Sequence, residues 1–289
     1  MIRSRALALV LPAAALLVTV LPATASADTP YTSYVALGDS YAAGPLIPTQ
    51  IGLPPGCLRS DHDYPALVAR TLDITDFRDV TCSGATTDDL TAPQSVALGV
   101  NPPQLDALGP DTELVSMTMG GNDIGFASII GECATRSPLA PLGAACKDYF
   151  TAGGTDQLAA RIGETAPKIE AALEAIGKRS PDAKIVLVGY PAILPDKGPG
   201  CFPVVPFSAG DVAYLRGVEK ELDAMLAEQA EKAGAEYVDT YTPTIGHDIC
   251  RLPGTKWIEG LVPTAPAAPV HPNALGEAAM AKATVAALY

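Results

Sequence analysis

The chain has 289 residues, 48% of them hydrophobic, and a formal charge of −13 at pH 7. That apolar content is enough for a sizeable buried core, while the acidic balance disfavours nucleic acid and anionic membrane surfaces as partners. Any contact with lipid would therefore have to be apolar.

The N-terminus runs Met1-Ile2-Arg3-Ser4-Arg5, then an apolar stretch over 6–21, then Ala25-Ser26-Ala27. A basic start, a short apolar run and a small-residue cleavage site read as a secretory signal peptide over residues 1–27. The run is short for a membrane span and no second one follows, so a secreted chain without a stable membrane anchor is expected. Ser4 separates the two arginines, against a twin-arginine signal. With no internal repeat or polar linker, residues 28–289 are expected to form a single, monomeric domain. All six cysteines lie after the signal. An even number in an exported chain argues for disulfides, and pairing neighbours in order gives Cys57–Cys82, Cys133–Cys146 and Cys201–Cys250. Zinc is the poorer reading, because there is no C-x-x-C pair and there are only three histidines.

Residues 34–37 form a short apolar run that stops at Gly38-Asp39-Ser40. This predicts a first strand delivering a serine to its C-terminal end, the edge where open α/β sheets bind ligands. Asp and Ser are also ordinary helix caps, so the tripeptide alone decides little. Residues 45–55 are rich in Pro and Gly and read as a surface loop. Asp61-His62-Asp63 reads as a solvated turn before a helix over 64–71, rather than as a metal clip. A second strand is expected over 77–81. It runs into Cys82-Ser83-Gly84-Ala85, with a helix start at Asp88-Asp89-Leu90 and a short helix or turn over 105–109. A third strand over 113–119 ends in Gly120-Gly121-Asn122-Asp123. Residues 128–154 look irregular. Helical spacing over 155–179, a strand over 184–188, a loop over 191–207, a long helix over 211–234 and a strand over 235–240 follow. Another irregular stretch, 242–269, leads to a last helix capped by Asn273. Alternating strands and helices imply a parallel α/β sheet covered on both faces, and right-handed crossovers leave the Ser40, Gly84 and Asn122 corners along one edge.

Those corners and Val270-His271-Pro272-Asn273 have complementary jobs in acyl transfer. Ser40 has a hydroxyl but needs a base. His271 can take that proton and return it to a leaving alkoxide. The N–H groups of Ser40 and Gly84 and the Asn122 amide could hold the oxyanion. Singly, Gly84 reads as a turn glycine, Asn122 as a cap and His271 as a helix-entry residue; the ordered set is far more specific.

The set Gly38-Asp39-Ser40, Gly84, Gly121-Asn122-Asp123 and His271-Pro272-Asn273 resembles the GDSL, or SGNH, hydrolases, in that family's order and over essentially the whole chain after the signal. The likeness extends to secreted bacterial lipase/esterases with six cysteines. It implies a flavodoxin-like, three-layer α/β/α fold with a five-stranded parallel sheet. It also implies Ser40 as nucleophile, His271 as base, Ser40, Gly84 and Asn122 around the oxyanion, and no cofactor or metal. The Gly-x-Ser-x-Gly elbow of α/β-hydrolases is absent. One position departs from the pattern: many members carry Asp three residues before the histidine, where this chain has Ala268. A dyad is therefore expected, with the Ala268 or Pro269 carbonyl orienting His271, and Asp248 or Asp239 as the alternative orienter. The implied substrates are medium-chain acyl esters and lipids, with loops 45–53 and 202–207 as candidate walls of an acyl groove. Phospholipase and carbohydrate acetylesterase activities share these motifs, and a secreted binding protein that kept the fold is the remaining rival.

Overall fold

The computed structural model describes residues 31–289 together with the first two; the expected signal peptide lies largely outside the described residues. In chain order the strands are β1 (Ser33–Gly38), β2 (Gln50–Ile51), β3 (Arg59–Ser60), β4 (Asp76–Asp79), β5 (Gln94–Val96), β6 (Gly99–Asn101), β7 (Leu114–Thr118), β8 (Lys184–Val188) and β9 (Glu236–Val238). The helices are α1 (Ser40–Ala43), α2 (Tyr64–Thr71), α3 (Phe126–Arg136), α4 (Ala145–Phe150), α5 (Gln157–Arg179), α6 (Ala209–Ala233), α7 (Tyr241–Thr244) and α8 (Ala274–Ala286).

Five strands form one parallel sheet in the order β4-β1-β7-β8-β9. Counting only these strands, the order is the doubly wound 2-1-3-4-5, in which the connections reverse direction between β1 and β7. Alternation along β1 builds two cores. Val35 and Leu37 face one side with Val115, Met117 and Leu187, against Ile169 and Leu173 of α5 and Leu222 and Leu226 of α6. Tyr34 and Ala36 face the other side, against Val68 of α2 and Met280 of α8. The result is the expected three-layer α/β/α arrangement.

The caps follow local chemistry. Asp156 accepts the Leu158 and Ala159 N–H groups at the start of α5, and Asn273 accepts those of Leu275 and Gly276 at the start of α8. Gly234 closes α6 at φ +70°. The disulfides are the expected Cys57–Cys82, Cys133–Cys146 and Cys201–Cys250.

Three local expectations need correction. Residues 128–154 are not irregular, because they contain most of α3 and all of α4. The buried carboxylate of Asp211 in α6 accepts the Cys146 and Lys147 N–H groups of the first turn of α4 and the Ser137 hydroxyl. That cap comes from far along the chain, out of reach of a local reading. Asp63 is not solvated: it is buried and accepts the Ala66 N–H as the cap of α2. Asp61 instead turns to Thr49 N–H and His62, so the three side chains do not converge. Finally, the loop expected over 45–55 contains β2, which pairs antiparallel with β3, and a second antiparallel pair, β5–β6, lies in a stretch that the sequence reading left unassigned.

Candidate active site

β1 and β7 lie on either side of the sheet's reversal point, with Leu37 opposite Met117 and Gly38 opposite Thr118. Their C-terminal corners therefore flank the crevice that such sheets form. Gly38 has φ +151°, and a Cβ there would meet Ala42 Cβ and Thr118 O at 2.8 Å, so no side chain fits. The Gln104 amide pairs with both polar groups of Gly38, accepting its N–H at 2.8 Å and donating to its carbonyl at 3.0 Å. Asp39 donates its N–H to Thr118 O and caps α1 by accepting the Tyr41 N–H at 2.9 Å. Ser40 is thereby the first residue of a helical turn, where its N–H has no partner within the helix.

The Tyr190 hydroxyl links the two corners. It accepts the Gly121 N–H at 2.8 Å and donates to Asp39 Oδ2 at 2.6 Å. Burial pushes the Asp39 carboxyl up to about 7, against the opposing pull of the Tyr190 hydroxyl and the Tyr41 N–H. Asn122 donates one amide hydrogen to Ala85 O at 2.8 Å, which leaves its second for the crevice. Asp123 accepts from the Thr87 backbone and hydroxyl, tying the Asn122 corner to the segment after Gly84. Gly84 itself is exposed and has φ +81°, a conformation side chains rarely adopt.

His271 arrives on the loop before α8. Its Nε2 lies 2.8 Å from Ser40 Oγ and its Nδ1 lies 2.8 Å from Pro269 O. A carbonyl can only accept, so Nδ1 carries the proton and Nε2 presents its lone pair to the serine hydroxyl. The Val270 backbone between them is strained at φ +59°, and its carbonyl accepts the Tyr41 hydroxyl at 2.6 Å. The Tyr41 ring lies 4.9 Å from the imidazole, centroid to centroid. On the far side, Asn273 reaches Lys256 O and Glu259, and Glu259 pairs with Lys256 at 2.8 Å. Asp248 accepts the Cys250 N–H and pairs with Arg251, while Asp239 accepts the Thr242 N–H. Among the described residues, neither carboxylate bonds the imidazole.

Burial lowers the His271 pKa from its ordinary 6.5, with the Pro269 carbonyl pulling part of the way back. Neutral imidazole is the base, so kcat/KM on a soluble ester is expected to fall on acidification with a midpoint below 6.5. A midpoint near 7 would assign the limb to Asp39 instead.

From Ser40 an apolar cleft runs between the sheet edge, α3 and α6. Ile124, Phe126, Leu194, Phe207, Val218 and Leu222 supply much of its wall. Of the two loops expected to line a groove, the second contributes Phe207, while no residue of 45–53 lines the cleft.

All the residues assigned to chemistry from sequence stand at this one edge: Ser40 and His271 in contact, with Asn122 and Gly84 on the neighbouring corners. Sequence reasoning missed Tyr41, Gln104 and Tyr190. Tyr190 had a usable signal, since Gly189-Tyr190-Pro191 also ends a strand at this edge.

The family model "GDSL-like Lipase/Acylhydrolase family" matches residues 36–279. The chain is 42% identical over 264 residues to Lipase 2 of Streptomyces coelicolor, covering 89% of this chain and 86% of that one. It is 32% identical over 248 residues to a lipase of Streptomyces rimosus, covering 85% and 82%. Among solved structures, the extracellular lipase of Streptomyces rimosus superposes with a TM-score of 0.72 at 30% identity, covering 89% of this chain and 98% of that one. Phospholipase A1 of Streptomyces albidoflavus gives 0.73 at 27% identity, with the same coverage. The chain belongs to the GDSL-like lipase/acylhydrolase family, and so to the carboxylic ester hydrolases.

Proposed function

We propose that the chain is an exported lipase or esterase that cleaves medium-chain acyl lipids through a Ser40–His271 dyad and an acyl-enzyme. The observation that carries this reading is the 2.8 Å contact between Ser40 Oγ and His271 Nε2 at the mouth of an apolar cleft. Ser40 Oγ attacks the ester carbonyl carbon as its proton passes to His271 Nε2. The oxyanion is held by the N–H groups of Ser40 and Gly84 and by the free Asn122 amide hydrogen. Collapse expels the alcohol, which takes the proton from Nε2. Water then repeats the cycle on the acyl-Ser40 ester, and its proton passes through His271 back to Ser40. The Pro269 carbonyl fixes the tautomer and stabilises the imidazolium formed on the way. No step requires a cofactor.

The apolar wall supports an acyl chain of several carbons, and the names of the relatives, lipase and phospholipase A1, agree with lipid esters. Signal-like residues before position 28 and the disulfides support export. A p-nitrophenyl ester series tests the substrate reading. On the purified chain kcat/KM is expected to rise about fourfold per added methylene from acetate until the cleft is filled. A steep preference for acetate would instead favour an acetylesterase.

A further inference from the structure

Three segments frame the catalytic edge: residues 44–58, 90–105 and 260–270. None contains an Asp, Glu, Lys or Arg, in a chain whose formal charge is −13. The first two are locked together. A Cβ on Gly56 would meet Ala97 O at 2.2 Å, and one on Gly99 would meet Pro54 Cβ at 2.7 Å, so backbone and ring are in direct contact there. The buried Arg59 guanidinium donates to Leu53 O, Asn101 Oδ1 and Thr81 O, which keeps that cation off the surface. The Cys57–Cys82 bridge, the Ser83 N–H to Cys57 O bond and the Gln94 amide to Ser83 O bond fasten this unit to the Gly84 corner. The third segment joins it through the Ala268 N–H to Pro45 O bond at 2.9 Å, just before His271.

From this tied-down backbone, apolar side chains project outward. Leu53 is 80% exposed, Leu98 86%, Val100 55%, Leu46 50% and Ile51 43%, and Val262 on the histidine loop is 82% exposed. Isolated exposed apolar residues need no explanation, but six of them on segments that are tied together and free of ionic residues, in an otherwise acidic protein, mark an interaction surface. We propose that this rim is a docking face for a neutral or zwitterionic lipid–water interface, which delivers ester to the adjoining cleft. The proposal rests on the acyl-lipid reading above. The occupant follows from charge and form. The three segments carry no ionic side chain, the partly exposed Asp61 bonded to the Thr49 N–H being an acidic border to them, so the rim suits a partner that presents apolar area without negative charge. The protein's net negative charge opposes anionic surfaces.

The test uses two arms. In the first, Ser40→Ala chain, which cannot consume lipid, is mixed with phosphatidylcholine vesicles and partitioning is measured by flotation. It is expected to bind, to bind less to vesicles rich in phosphatidylglycerol at low salt, and to lose about 100-fold in partitioning when Leu53→Ser and Leu98→Ser are added. In the second, Leu53→Ser/Leu98→Ser with Ser40 intact is assayed on soluble p-nitrophenyl butyrate and on a tributyrin emulsion. The soluble rate is expected within about twofold of the parent chain, with the emulsion rate falling at least about tenfold. Leu98→Asp alone should act in the same direction. Equal partitioning of parent and variant would overturn the proposal. So would equal losses on both substrates, or a parent dimer that the substitutions dissociate while vesicle binding is unchanged. The vesicle arm needs no activity, so a chain that binds vesicles yet hydrolyses no ester would refute the catalytic reading and leave this one standing.

Discussion

Ser40→Ala and His271→Ala should each lower kcat by about 10⁶, and the double variant should be little worse than either. The non-additivity follows from the geometry. The serine hydroxyl is a poor nucleophile unless its proton has somewhere to go, and the one imidazole nitrogen positioned to take it lies 2.8 Å away. Removing either partner ends the same proton transfer. Binding of ester in the cleft should survive, because its walls come from α3, α6 and Phe207, so KM should change far less than kcat. Asp248→Asn and Asp239→Asn belong to the same experiment. Each carboxylate already has a structural partner elsewhere and the imidazole Nδ1 bonds to Pro269 O. Both variants should therefore keep near-parental turnover, whereas a loss near 10⁴ would reveal a hidden third member.

Asn122→Ala should cost about 10²–10³ in kcat, or roughly 3–4 kcal/mol of transition-state stabilisation, again with KM nearly unchanged. One hydrogen of the amide is held by Ala85 O, which fixes the plane of the group and aims the other hydrogen at the crevice. A donor fixed in advance needs no reorganisation as charge develops on the carbonyl oxygen. Neighbouring Asp123 keeps its bonds to Thr87 in this variant, so the corner should hold its shape. Circular dichroism and thermal melting of Asn122→Ala should match the parent. A drop in both turnover and melting temperature would give Asn122 a structural role instead.

The parts of this site that could be read from sequence share one property: each sits where a local pattern ends. Ser40 and Asn122 follow short apolar runs and Gly84 follows an expected strand, and a parallel sheet with right-handed crossovers brings such ends to one edge. His271 precedes a helix whose cap, Asn273, is itself a strong local signal. Long helices with 3.6 periodicity, α5 and α6, were legible for the same reason. What escaped depends on distant partners. Tyr190 acts through Asp39, 151 residues away, and Gly121, 69 away, and Gln104 through Gly38, 66 away. The short helix α4 is capped by Asp211 rather than by a residue of its own. Asp63 looks like a surface turn residue until α8 and β4 cover it. The orienting carbonyl of Pro269 was one of two candidates, since backbone oxygens leave no mark on composition. The left-handed Val270 between it and His271 has no sequence signature at all, valine being a poor fit to that conformation.

The most direct measurement is site-resolved labelling with a fluorophosphonate, read by mass spectrometry of the digested chain. A single adduct on the peptide containing Ser40 is expected, absent in Ser40→Ala, strongly slowed in His271→Ala and unchanged in Asp248→Asn and Asp239→Asn. An adduct on another residue, or labelling that persists at the parental rate without the Ser40 hydroxyl or the His271 ring, would contradict the assignment.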